Sequence, residues 1–360
     1  MSSLSQFFKN FTLRVSTQEK IIFTRHLAII IKSGMTLIDA LTMLRQQTKS
    51  RSLSKILDTV IKDVSNGQFL SASLDKYKSV FGDLFVNIIR VGESSGILSE
   101  NLEYLSHELK KSRELSKKVT GALVYPGVIL SATFGIVGML IFFIFPKILP
   151  VFSSLNIKLP ASTKALIFIS NAMTNYGGRI ALGFLAALIG FWLLLRIKKV
   201  QFFYHWLILR LPLVGGMVQS VNMTNFSRTL GLLLKSGVKI VEAVNITAEA
   251  LPNLVYRQEV KGVAASIQKG ESISKHLLTR KHLFPAMAAN MVAVGENTGN
   301  LSETLLYLGE FYESELDELV KNLSNVMEPV LMLVMGAMVG FVAIAIITPI
   351  YEITQAVGRQ

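Results

Sequence analysis

The chain has 360 residues, of which 51% are hydrophobic and only 17% charged, against roughly 25% charged in soluble domains; this excludes an ordinary soluble domain and points to a membrane protein. The absence of cysteine excludes disulfides, thiolate catalysis and thiolate-bound metal, and leaves the compartment open. The formal net charge of +13 suits anionic lipid, membrane orientation or nucleic acid, but the basic residues lack the aromatic interleaving of a single-strand groove, so no direct nucleic-acid contact is expected.

In chain order, residues 1–20 have no apolar core of signal-peptide length and no small-residue cleavage pattern. They read as a short polar lead on the cytoplasmic side. Residues 21–120 read as a first helical bundle. Leu27, Ile30 and Ile31 recur at helical spacing before a stop at Gly34. Thr36 can cap the next helix, with Asp39 three residues on. A helix over Ile56–Ser65 ends near Gly67, and others follow around Ser71 and Asp83. The stretch VGESSGILSE, Val91–Glu100, closes one helix at Gly96, which takes a left-handed conformation without steric cost. Leu98 then opens a long helix with Leu102, Leu105 and Leu109 facing inward.

Three windows are apolar enough to cross a bilayer, which takes about 20 residues. They lie within 121–147, 176–197 and 326–350, around Ala122–Phe145, Ile180–Leu195 and Val330–Ile347. Between the first two lies an expected extracytoplasmic loop, 148–175. A second bundle is expected over 198–325, and 351–360 form an extracytoplasmic tail. Lys110, Lys111, Arg113, Lys117 and Lys118 precede the first window, and Arg196, Lys198, Lys199 and Arg210 follow the second. Only Lys147, Lys158, Lys164 and Arg179 stand between them. By the positive-inside rule both polar regions face the cytoplasm.

An internal repeat carries more weight than the charges. Phe23–Gly34 matches Phe226–Gly237 at six of twelve positions, and residues 91–105 match 294–308 at ten of fifteen. Both use the offset 226 − 23 = 203, which also pairs Gly67 with Gly270, Phe81 with Phe284, Pro126 with Pro329 and Pro146 with Pro349. The unit is a polar helical bundle followed by one span, and the unmatched middle span returns the chain so that both copies share an orientation. The expected fold is all-α: a polytopic membrane protein with two repeated cytoplasmic helical bundles and three transmembrane helices. The paired prolines read as span boundaries or kinks. For Glu93 and Glu296 two readings stand: a buried acid used in coupling or ion binding, or an acid bonded to the turn that follows it.

Phosphate-cradling, zinc-hydrolase and nucleophile-elbow motifs are all missing, and the five histidines are scattered. No catalytic residue, cofactor or metal is expected. The spans carry almost no charge, which disfavours a small transporter with regulatory cytoplasmic domains, the alternative reading.

The order F-x-R-x-L-x-x-x-x-K-S-G, then V-G-E-x-x-G-x-L-x-E-x-L, then a proline-bearing span, written twice with an extra span between, resembles the type II secretion system F family, the PilC-like inner-membrane platform proteins. The motif positions are Arg25, Gly34, Gly92, Glu93, Gly96 and Pro126, and in the second copy Arg228, Gly237, Gly295, Glu296, Gly299 and Pro329. The resemblance implies six-helix cytoplasmic bundles, homo-oligomers in the bacterial inner membrane, and structural or coupling roles for the motif residues. It implies as partners a hexameric cytoplasmic ATPase, pilin or pseudopilin subunits, other inner-membrane assembly proteins and membrane lipid. The platform itself hydrolyses nothing. Many members carry a longer segment before the first Phe-x-Arg; here about twenty residues precede it.

Overall fold

The computed structural model describes residues 13–147, 160–195, 197–212 and 214–357, and among these no strand occurs. The helices are α1 (Thr17–Lys32), α2 (Leu37–Gln47), α3 (Arg51–Ser65), α4 (Leu70–Asp75), α5 (Lys78–Phe81), α6 (Asp83–Ser95) and α7 (Leu98–Met139). A π-helical turn, Leu140–Ile144, continues α7. Then come α8 (Ala161–Leu194), α9 (Lys198–Arg210), α10 (Val214–Lys235), α11 (Ile240–Ala250), α12 (Leu254–Gln268), α13 (Ile273–Leu278), α14 (Ala286–Thr298) and α15 (Leu301–Val357). Shifting α2, α3, α4 and α6 by 203 lands on α11, α12, α13 and α14, end for end.

Local chemistry sets these boundaries. Ser16 and Glu19 form a reciprocal capping box that opens α1, with Glu19 N–H donating to Ser16 Oγ at 3.2 Å and Ser16 N–H to Glu19 Oε2 at 2.6 Å. The helix therefore starts inside the expected lead 1–20, whose residues 1–12 lie outside the described ones. Thr36 accepts from Asp39 N–H as expected, but the Asp39 carboxylate takes the Thr36 hydroxyl, not the backbone, so the box is not closed. The matching cap in the second copy is Lys239, which makes no side-chain cap bond.

Two compact units result. The first joins residues 1–118 with 204–319, and the second joins 119–203 with 320–360. The two expected bundles thus share one unit, because α6 packs against α11 and one buried cluster runs through both. Phe81 stacks between Phe23 and Phe85 in the first copy, and Phe284 meets Phe226 and Tyr256 edge-on in the second. The copies differ at α5, whose counterpart is a run of turns before Phe284; the offset places the counterpart of α9 outside the described residues.

In the second unit, α7 and α15 carry helices long and apolar enough to cross a membrane. Only 11% of the apolar window of α7 and 17% of that of α15 is buried, so neither is the core helix of a soluble domain. Phe145, Leu166 and Ala345 pack together, and Thr163 Oγ1 donates to the carbonyl of Ala345 at 2.9 Å. Two expectations need correcting. Residues 161–175, read as loop, belong to the 34-residue α8, while 148–159 lie outside the described residues. Residues 351–357, read as tail, continue α15. Among the described residues two helices pass the length-and-hydropathy test for a span; the expected middle span falls in α8, which is not one of the two.

Candidate functional site

The motif glutamates do the same thing in both copies. Short α4 follows Phe69, which offers no side-chain cap, so its first amides need an acceptor. Glu93, near the end of α6, supplies it: Leu70 N–H donates to Oε1 at 2.5 Å and Ser71 N–H to Oε2 at 2.8 Å. Glu296 takes Ile273 N–H at 2.6 Å, Ser274 N–H at 3.1 Å and Ser274 Oγ–H at 2.6 Å. A carboxylate there also meets the positive end of the helix. The bonds run to a helix start 22 and 23 residues upstream, not to the following turn.

The motif glycines build the corner after these glutamates. Gly96 and Gly299 both have φ of +72°, a left-handed cap that costs a side-chain-bearing residue about 1 kcal/mol or more. One turn earlier, a Cβ on Gly92 would sit 3.0 Å from Leu98 Cα, and one on Gly295 3.0 Å from Leu301 Cα. The glycines let each long helix fold back directly on the helix before it. Asn101 secures the first corner by donating Nδ2–H to the Ile88 carbonyl at 3.1 Å. Gly34 and Gly237 close α1 and α10 with φ of +89° and +87°. Pro126 lies inside α7 and Pro329 inside α15.

The motif arginines part company. Arg25 is exposed on α1. Arg228 is buried where α10 meets both long helices: one guanidinium nitrogen lies 2.5 Å from Glu313 on α15, another 3.6 Å from Glu108 on α7. Lys111 approaches Glu310 and Glu313 at 3.8 and 3.9 Å, and Lys118 pairs with Asp317 at 2.8 Å. Burial pushes the Glu108 carboxyl up to about 7, against the opposing pull of Arg228 and Lys111 and with a further push from Glu313. The repeat pattern could not reveal this cluster, because position 108 corresponds to Phe311 and position 313 to Lys110. The signal available was the break itself: one arginine shared by two copies, with acids placed differently around it. Among the described residues no group of three His, Cys, Asp or Glu side chains is placed to hold a metal.

A chain whose described residues form helices and no strand, that writes one helical pattern twice, carries it into long apolar helices and sets its motif glutamates and capping glycines near helix ends, is built as membrane-anchored scaffolding. A family model described as "Type II secretion system (T2SS), protein F" matches residues 23–146 and again 226–349, the same offset of 203. The chain is 35% identical over 352 residues to "Type IV pilus assembly protein PilC" of Thermus thermophilus, covering 94% of this chain and 83% of that protein. It is 32% identical over 351 residues to "Type II secretion system protein F" of Pseudomonas aeruginosa, covering 97% and 86%. A PilC of Myxococcus xanthus is 29% identical over 343 residues, covering 95% and 82%. The chain belongs to the type II secretion system protein F family. Membership makes it a multi-pass inner-membrane platform protein of pilus or secretion assembly, non-enzymatic, and not a transporter.

Proposed function

We propose that this platform couples a hexameric cytoplasmic ATPase to the movement of pilin or pseudopilin subunits from the bilayer into a growing filament. The observation that carries this is the unbroken course of α7 and α15. Each is one helix from the corner after a motif glutamate through its apolar stretch. In this reading a push on the bundles is carried into the apolar stretch along the backbone of the same helix. The motif residues Arg25, Gly34, Gly92, Glu93, Gly96 and Pro126, with Arg228, Gly237, Gly295, Glu296, Gly299 and Pro329, set the angles at which that push is delivered. Glu93 and Glu296 tie each corner to a short helix.

In this reading the N-terminus and both polar halves are cytoplasmic, as two repeated domains ending near residues 120 and 325. α8 supplies the middle crossing, roughly 176–197, that turns the chain back. The lysines and arginines flanking the first two crossings support it. Inserting a flexible Gly/Ser segment beside Gly121 tests the coupling. Filament assembly or secretion is expected to be lost while membrane level stays at that of the parent. Normal assembly with the insertion in place would refute the lever.

A further inference from the structure

Within the first unit the two copies pack head to tail. The face made by α6 and α7 of the first copy lies on the face made by α10 and α11 of the second: α6 packs on α11, Glu108 reaches Arg228, and Lys235 Nζ lies 5.5 Å from the centre of the Tyr104 ring. No comparable packing joins α2 to α14 among the described residues. A head-to-tail contact leaves one face of each kind over: the α1 face of the first copy and the α14–α15 face of the second.

Both leftover faces have the chemistry of an uncovered interface. On α1, Ile29 is 56% exposed, whereas its counterpart Leu232 is 5% exposed. Arg25 is exposed where Arg228 is buried. Ile29, Arg25, Lys32, His107 and Lys110 line an open groove of about 620 Å³. On the other face Phe311 is 36% exposed where Glu108 is 8% exposed, and Val294 and Tyr307 are also exposed. Charge complements shape. The groove gathers Arg25, Lys32 and Lys110 around one acid, Glu103, which pairs with Lys32 at 3.0 Å, with Arg113 adjoining, whereas residues 301–319 of α15 hold six acids and no lysine or arginine. Glu315 and Glu318 stand exposed there and repel one another.

We propose that the α1–α7 groove is filled by the α14–α15 face of a second copy of this chain, repeating between chains the contact made inside each. Under the shift of 203, Tyr307 of the neighbour meets Lys32 as Tyr104 meets Lys235. Phe311 of the neighbour meets Arg25 as Glu108 meets Arg228, with a ring face in place of a carboxylate. The result is a heterologous assembly in which every bundle sits on the next. It rests on the packing of the first unit, not on motor coupling, and is read whether or not filaments form.

The chain has no cysteine, so thiol cross-linking starts clean. Full-length Lys32→Cys and Tyr307→Cys chains with different tags are co-expressed, and membranes are treated with a short bis-maleimide. Tyr104→Cys with Lys235→Cys in one chain is the control for fold and reach. A linked pair carrying both tags is expected, with neither single variant linking to itself, and Phe311→Lys lowers its yield roughly tenfold through repulsion from Arg25. Linkage of Lys32→Cys only to itself means a two-fold contact. Linkage only to a different protein means another occupant. No mixed pair while the control closes means the groove is empty. Each of these three outcomes overturns the proposal.

Discussion

Glu93 shows how much one side chain can hold. Its carboxylate satisfies two amides of α4 that nothing else caps. Replacing Glu93 by Ala removes both acceptors and leaves the helix start unpaired, at a cost of about 1–3 kcal/mol. The measurement is the Tm of the detergent-solubilised protein, which should fall for Glu93→Ala and for Glu296→Ala, and fall less for the Gln variants, which keep one acceptor oxygen. An unchanged Tm would remove these acids from the stability of the bundle. Glu108 makes a prediction in pH. Its carboxyl is held above the ordinary glutamate value, at about 7, so between pH 4.5 and 7 the native state binds more protons than the unfolded one. That contribution is full below pH 4.5 and is lost as pH rises through 7. Glu108→Gln should flatten this part of the stability–pH curve. Arg228, Lys111 and Glu313 are the charged groups that face the carboxyl.

At the scale of elements, the corner between α6 and α7 is the part that tolerates least. Gly96→Ala forces a side chain into φ +72° and should cost about 1 kcal/mol. Gly92→Ala adds a Cβ 3.0 Å from the Leu98 Cα, a backbone atom rather than the far end of a flexible side chain. We expect the larger loss there, about 1–3 kcal/mol. Thermal unfolding of the two variants side by side decides the order. If Gly92→Ala is the milder change, the corner is looser than the close approach implies. The same ranking should hold for Gly295 against Gly299, whose geometry is the same to within 0.1 Å and a degree for the quoted values.

For the whole molecule, the arrangement of two copies around a returning helix is the testable statement. Reporter fusions that require the cytoplasm should be active after residue 110 and after residue 300. One placed in 148–159 should be inactive. Opposite faces for the first two sites would mean that α8 does not cross.

The sequence by itself determined the elements and their duplication. Glycine after a helical run, a capping hydroxyl and an apolar window each act within a few residues, and the offset of 203 copies the glycines and the long apolar helices, though not the Thr36 cap. Gly96, Gly299 and the long helices were legible for this reason. Tertiary structure alone decided what the shared residues do. The bonds of Glu93 span more than twenty positions, and the burial of Arg228 depends on an acid from each copy, at positions the repeat does not share. It also decided that the two bundles form one unit packed head to tail. Which surface of a helix meets which neighbour depends on side chains brought together across the chain, and local periodicity carries no record of that.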